Sequence, residues 1–144
     1  MKLTPFLLFD GVCDEAMAFY QSCLGGELTL TRISDTPMKG QMPPEHHGKV
    51  AFACLKSETV EFSGADWLHP SRIPKQGNTV CMFVNSGNHN ELRAIFERLS
   101  VGGDKALLDD LREMPFGLYG HLADRFGVHW FFQGEKKDEV KSIV

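Results

Sequence analysis

The chain has 144 residues, 42% of them hydrophobic and 24% charged, with 11 Phe, which fits one globular domain with a real core and excludes a disordered segment. A formal net charge of −4 with no Lys/Arg run argues against sequence-independent binding of nucleic acid, which needs a basic face to neutralise phosphates. No apolar run approaches the roughly 20 residues that span a bilayer, and the opening Met1-Lys2-Leu3-Thr4-Pro5 lacks a signal-peptide core, so a cytoplasmic protein with neither nucleic-acid nor membrane partners is expected.

Leu3 to Phe9 reads as a buried strand ended by Asp10-Gly11. From Cys13 the period becomes helical, with Ala16, Phe19, Tyr20, Cys23 and Leu24 on one stripe, Asp14 and Glu15 in the first turn, and Gly25-Gly26 as a left-handed stop. Glu27 to Ile33 alternates as a strand. Ser34 to Lys49 holds Pro37, Gly40, Pro43, Pro44 and Gly48, with Met38 and Met42 between them. It reads as an irregular lid or contact loop. Val50 to Lys56 and Thr59 to Gly64 form two strands about a turn at Ser57-Glu58, with Thr59, Glu61 and Ser63 on one face and Val60 and Phe62 on the other. Ala65 to Gly77, with Pro70 and Pro74, is the natural linker.

A second strand from Thr79 to Asn85 is followed by a helix capped at Asn88, with Leu92, Ile95, Phe96 and Leu99 as its apolar stripe. A strand at Asp104 to Leu108, an acidic loop at Asp109 to Glu113 and a hairpin follow. The hairpin has arms Leu118 to Ala123 and Val128 to Phe132, turned at Asp124-Arg125-Phe126-Gly127. Residues 134–144 form a charged tail, read as frayed or as a short terminal helix. Leu24-Gly25-Gly26 is answered by Val101-Gly102-Gly103, Phe19 by Phe96 and Phe6 by Phe83, each displaced by the same 77 positions (103 − 26, 96 − 19 and 83 − 6). Two copies indicate paired half-domains, because a solenoid needs three or more. The expected fold is α+β, with helices on the outer face of curved, antiparallel-rich sheets and the other face free for a ligand.

No phosphate cradle, G-x-S-x-G or H-E-x-x-H motif occurs. Cys13, Cys23, Cys54 and Cys81 form no paired metal spacing and read as buried thiols. His46 and His47 are adjacent loop residues, His69 and His89 also read as loop residues, and His129 lies across the hairpin from His121. His121 is a candidate pocket acid or base. Glu61, inside an apolar strand, is a candidate proton acceptor whose pKa partial desolvation would raise.

Phe9-Asp10-Gly11-Val12-Cys13-Asp14-Glu15-Ala16-Met17-Ala18-Phe19-Tyr20, Leu24-Gly25-Gly26-Glu27, Phe116-Gly117-Leu118-Tyr119-Gly120 and Asp124-Arg125-Phe126-Gly127-Val128-His129-Trp130 together resemble the PhnB-like branch of the vicinal oxygen chelate superfamily, the glyoxalase/bleomycin-resistance/dihydroxybiphenyl dioxygenase group. The likeness extends from Lys2 to Gln133. It implies one glyoxalase-like domain of two tandem βαβββ modules, about 1–66 and 77–133, whose sheets enclose a cup, commonly in a homodimer that can exchange modules. It also implies metal-ligand positions, which fall here on Pro5, near Thr79, near Phe131 and near Phe62 or Ser63, with Glu61 the one survivor after a small slip; Phe52 stands where PhnB-like chains often carry His. About three protein ligands are needed for a catalytic divalent ion, so no metal and no cofactor are expected. This branch also carries a demethylubiquinone methyltransferase label, yet the chain lacks a glycine-rich strand-to-helix turn for a nucleotide-like methyl donor.

The expected function is binding of a small, partly apolar organic ligand in a metal-free cup lined by Phe6, Phe52, Ser63, Trp67, Phe83, Tyr119 and Trp130. The alternatives are a metal-independent isomerase or lyase using Glu61 or His121, and a protein-interaction surface on the long loop and tail.

Overall fold

The computed structural model describes residues 1–69 and 72–136, in two compact units that divide between Lys75 and Gln76. In the first unit β1 (Phe6–Phe9) leads into α1 (Cys13–Leu24), followed by β2 (Glu27–Arg32), β3 (Val50–Lys56) and β4 (Glu61–Asp66). The second repeats the order with β5 (Met82–Ser86), α2 (His89–Ser100), β6 (Asp109–Met114), β7 (Gly117–Ala123) and β8 (His129–Glu135). The strands lie in the orders β1-β4-β3-β2 and β5-β8-β7-β6, the same permutation twice. In each sheet the first strand runs parallel to the last and the other pairs are antiparallel. The repeat read from the sequence is therefore a repeat of topology. Its constant displacement does not persist beyond the helices, because the connection after α2 is longer than the one after α1, and the connection after β2 is longer than the one after β6.

Each helix covers one face of its own sheet. On α1 the buried positions are Cys13, Ala16, Met17, Tyr20 and Cys23, and the Tyr20 ring meets Phe62 of β4 edge-on at 5.7 Å. On α2 Leu92, Phe96 and Leu99 are buried, and Phe96 meets Phe132 of β8 at 5.0 Å. A Cβ on Gly120 of β7 would lie 3.0 Å from the Phe96 ring, so glycine is what lets α2 sit this close to the strand. α1 ends where expected, with Gly25 at φ 75° and Gly26 at φ 97°, conformations open to glycine at little cost.

Several sequence expectations are corrected. β1 is shorter than Leu3 to Phe9, and only Phe9 is buried; Phe6 and Leu8 are exposed. An edge strand apolar on both faces has one face left over when a single helix covers its sheet. Segment 34–49 is not irregular throughout: it winds through short 3-10 turns at Ile33–Asp35, Pro37–Gln41 and Pro44–His46. Two of these turns start on a proline, whose fixed φ suits a first helical position. The turn before β4 takes four residues, Ser57 to Val60, with the Ser57 hydroxyl accepting from the amides of Thr59 and Val60. β4 thus shifts two residues onward, and Ala65 and Asp66 belong to it instead of to a linker. β5 begins at Met82, later than Thr79.

After α2 the two assignments exchange places. Lys105–Leu107 is a 3-10 turn capped by Asp104, and the acidic Asp109–Met114 is strand β6. β6 is a sheet edge, where outward carboxylates are tolerated and discourage edge-to-edge pairing. β8 continues to Glu135, and the remainder of the expected tail, from residue 137, lies outside the described residues. His89 is the first residue of α2, not a loop residue. No helix among the described residues is long and apolar enough to cross a membrane.

Two buried aspartates organise the connections. Asp66, at the end of β4, accepts from the Cys13 amide through Oδ1 and from the Val50 amide through Oδ2, each at 2.9 Å. It thereby caps the start of α1, where Val12 supplies no side-chain cap, and a carboxylate there also complements the helix dipole. Asp124 accepts from the amides of Phe126 and Val128 and from the indole of Trp130, closing the β7–β8 turn as an extended Asx turn. Replacing Asp66 by Ala strands two amide donors and is expected to lower stability by roughly 2–4 kcal/mol in chemical denaturation. Asp66→Asn, which keeps the shape but one acceptor fewer, is expected to fall between Ala and the parent. A midpoint unchanged by Asp66→Ala would contradict the capping role.

Candidate functional site

Strand pairing and ring contacts separate the two faces of each sheet. In the second unit Leu118, Gly120, Leu122, Trp130 and Phe132 point toward α2, and Tyr119, His121, His129 and Phe131 point away from it, as alternation along β7 and β8 requires. In the first unit Phe62 and Gly64 face α1, so Glu61 and Ser63 lie on the opposite face with Phe6, Thr29, Phe52 and Cys54. The expected alternation holds for Glu61, Phe62 and Ser63, whereas Thr59 and Val60 belong to the turn.

On the face of the second sheet opposite α2, side chains from all four strands form a row. Phe83 of β5 meets Phe131 of β8 at 5.6 Å, Phe131 meets Tyr119 of β7 at 5.1 Å, and the Arg112 guanidinium of β6 lies 5.5 Å from the Tyr119 ring centroid. Phe83 is 56% exposed, a large apolar area left to water. Beside this row lie three groups able to hold or move a proton. His121 Nε2 is 3.2 Å from His129 Nδ1 and 3.9 Å from the Cys81 sulfur, so a single imidazole nitrogen is shared by a second imidazole and a thiol. His129 is buried and His121 half-buried.

The first sheet presents a plainer surface. Phe6 and Phe52 meet at 6.1 Å, and both remain about half exposed (49% and 46%). Ser63, the register partner of Phe6, is buried, and its amide donates to the Pro5 carbonyl. Glu61 carries no raised proton affinity. Its carboxylate lies 2.6 Å from Lys2 Nζ and 3.8 Å from Lys56 Nζ, and the hydrogen bond from Lys2, with the charge of both lysines, holds it below the usual carboxylate range. The desolvation expected from the sequence is outweighed by these two ammonium groups.

Trp130 does not line an open face. It is 2% exposed in the core on the α2 side, with its indole N–H donating to Asp124 at 2.8 Å. Trp67 follows β4, stacks on His69 at 6.3 Å, and has no hydrogen-bond partner for its indole N–H among the described residues. His47 is tied to the Met42 carbonyl and His89 to that of Glu135.

The sequence reading missed Asp66, taken as linker, and the pairing of Cys81 with His121. The Asp66 signal is an aspartate ending the apolar run Phe62-Ser63-Gly64-Ala65. Cys81 stands 40 positions from His121, and only parallel pairing of β5 with β8 brings it there.

A divalent ion is not a fit for these residues. Pro5 and Phe131 have no ligating side-chain atom, Glu61 is engaged by two lysines, and among the described residues no three His, Cys, Asp or Glu side chains converge on a metal site.

The doubled βαβββ module is the vicinal oxygen chelate fold, and its details are those of one branch. The profile of the 3-demethylubiquinone-9 3-methyltransferase family matches residues 1–133, and the chain belongs to that family. It is 28% identical to Protein YjdN of Escherichia coli K12 over 149 aligned positions, 98% of this chain and 100% of YjdN. It is similar in structure to PA1353 of Pseudomonas aeruginosa, with a TM-score of 0.81 at 26% identity over 94% of this chain and 98% of that one. Against the PhnB protein of Bacillus cereus the TM-score is 0.70 at 26% identity, over 92% and 98% of the two chains.

Replacing Lys2 by Met removes the nearer cation, and the Glu61 pKa is expected to rise toward the ordinary carboxylate value in a side-chain carbon NMR titration. A depressed carboxylate pKa means that the pairing supports folding above the ordinary value and is lost as pH falls through the depressed one. An unmoved titration in the variant would show that Lys2 does not set it.

Proposed function

We propose that the protein binds a small, partly apolar organic molecule on the face of the second sheet opposite α2, without a metal ion. The observation that carries this is the row Phe83, Phe131, Tyr119 and Arg112, an aromatic platform with a cation at one end and two imidazoles alongside. Apolar surface of this kind left exposed marks an interaction site, and stacked aromatics with a few polar groups are the usual lining of small-molecule sites. Phe6 and Phe52 on the first sheet are assigned to ligand contact on the same grounds, with Ser63 as the buried register partner of Phe6 and Trp67 following in sequence. We further take the protein to be homodimeric, as the sequence resemblance implies, and cytoplasmic, as its composition suggests.

The methyl transfer in the family's description has little support in the residues. The β1–α1 connection carries Gly11 alone and the β5–α2 connection Gly87 alone, and neither is the glycine-rich turn that admits a nucleotide-like cofactor at a helix start. A second reading, a metal-independent isomerase or lyase, is favoured by the shared nitrogen of His121, a group placed to pass a proton. Glu61, held as an ion by two lysines, is the weaker of the two candidates.

The test uses 1-anilinonaphthalene-8-sulfonate, whose aromatic body and single anionic group suit the row and Arg112. Saturable binding to the folded protein is expected, weakened about tenfold in Phe83→Ala, the loss of roughly 1.4 kcal/mol of contact. Equal affinity for Phe83→Ala and parent would place the dye elsewhere and contradict the proposal.

A further inference from the structure

We propose that Cys81 is a nucleophile served by His121, and that this face traps α,β-unsaturated carbonyl compounds bearing an apolar or aromatic tail as covalent thioethers. The inference rests on the ligand site proposed above and names the chemical class that site takes.

The geometry supplies each part. A thiol becomes nucleophilic when it loses its proton to a neighbouring base, and His121 Nε2 lies 3.9 Å from the Cys81 sulfur, at the outer limit of a sulfur hydrogen bond and of a kind that tightens when substrate binds. The nitrogen that receives this proton also faces His129 Nδ1 at 3.2 Å. With His129 in the tautomer that leaves Nδ1 unprotonated, that lone pair accepts the hydrogen bond of the newly formed imidazolium. Phe83, two residues after Cys81 on the same face, begins the aromatic row. A bound tail on that row brings an adjacent double bond to the sulfur.

The step balances without a further reagent. The Cys81 proton passes to His121 Nε2, the sulfur electron pair forms a bond to the β-carbon, and the π pair of the C=C bond moves to the carbonyl as an enolate. The proton on His121 Nε2 then returns to the α-carbon. One S–H and one C=C π bond are lost, one C–S and one C–H bond are formed, and no oxidant or reductant takes part.

The other thiols provide internal controls. Cys13 and Cys23 are buried on α1, and burial, reinforced by the nearby carboxylates of Asp66 and Asp14, pushes the Cys13 thiol up to about 12. Cys54 is half-buried like Cys81 but is flanked in register by Thr29 and Ser63, neither of them a base.

The full chain is treated with limiting cinnamaldehyde and, separately, with iodoacetamide, and the modified residue is located by peptide mass mapping. Cys81 is expected to react first with both, at least about tenfold faster than Cys54. His121→Gln is expected to slow Cys81 by roughly a hundredfold, the usual worth of a positioned base, while the Cys54 rate in the same sample stays constant and reports an intact fold. His129→Gln is expected to give an intermediate rate, since it removes only the support of the imidazolium. Cys54 reacting as fast as Cys81, or a Cys81 rate unchanged by His121→Gln, overturns the inference. Saturable dye binding with an inert Cys81 contradicts the thiol chemistry alone and leaves the ligand site standing.

Discussion

The carboxylate of Asp66 accepts backbone hydrogen bonds from the first residue of α1 and the first residue of β3 at once, and the layout of the first module follows from that clamp. A helix held at its N-terminus against the end of β4 must lie across one face of the sheet, and it buries Met17, Tyr20 and Cys23 there. One helix per four-stranded sheet leaves the second face without a helix. The same constraint acts in the second module through other contacts, chiefly Phe96 on Phe132 and the glycine at position 120 that lets the helix approach.

Where the sequence resemblance implies metal ligands, the chain places Pro5, Thr79 and Phe131, and Phe131 is the centre of the aromatic row. The ring near which the resemblance puts a ligand is the same ring that joins Phe83 to Tyr119. The polar groups that remain, His121 and His129 on β7 and β8 and Cys81 just before β5, lie beside the platform.

The repeat, both helices, the glycine stop of α1, and the β3–β4 and β7–β8 hairpins were legible from periodicity and turn chemistry, because each is specified by neighbours in sequence. The exchange of roles between 104–108 and 109–114 was not. A charged edge strand carries no hydrophobic alternation, and its identity comes from β7, with which it pairs. Glu61 was read on one face with Ser63, where it lies, but its electrostatics were misjudged because Lys2 lies 59 positions away in sequence. Trp130 shows the reverse case. Its position in β8 was legible, while its direction required knowing which alternate residues of that strand meet α2. Cys81 and His121 are brought together by parallel pairing of the first and last strands of a module, a contact that no local pattern announces.

The central claim is that ligand chemistry belongs to the side-chain set Phe83, Tyr119, His121 and Phe131, and that Trp130 and Phe132, one residue out of phase on the same strands, serve only the core. Aromatic carbon–proton NMR spectra recorded while cinnamyl alcohol, an unreactive probe, is added test this directly. Saturable shifts are expected for the rings of Phe83, Tyr119, His121 and Phe131, with Trp130 and Phe132 nearly still. Shifts centred on Trp130 and Phe132, or none at all, would contradict the account.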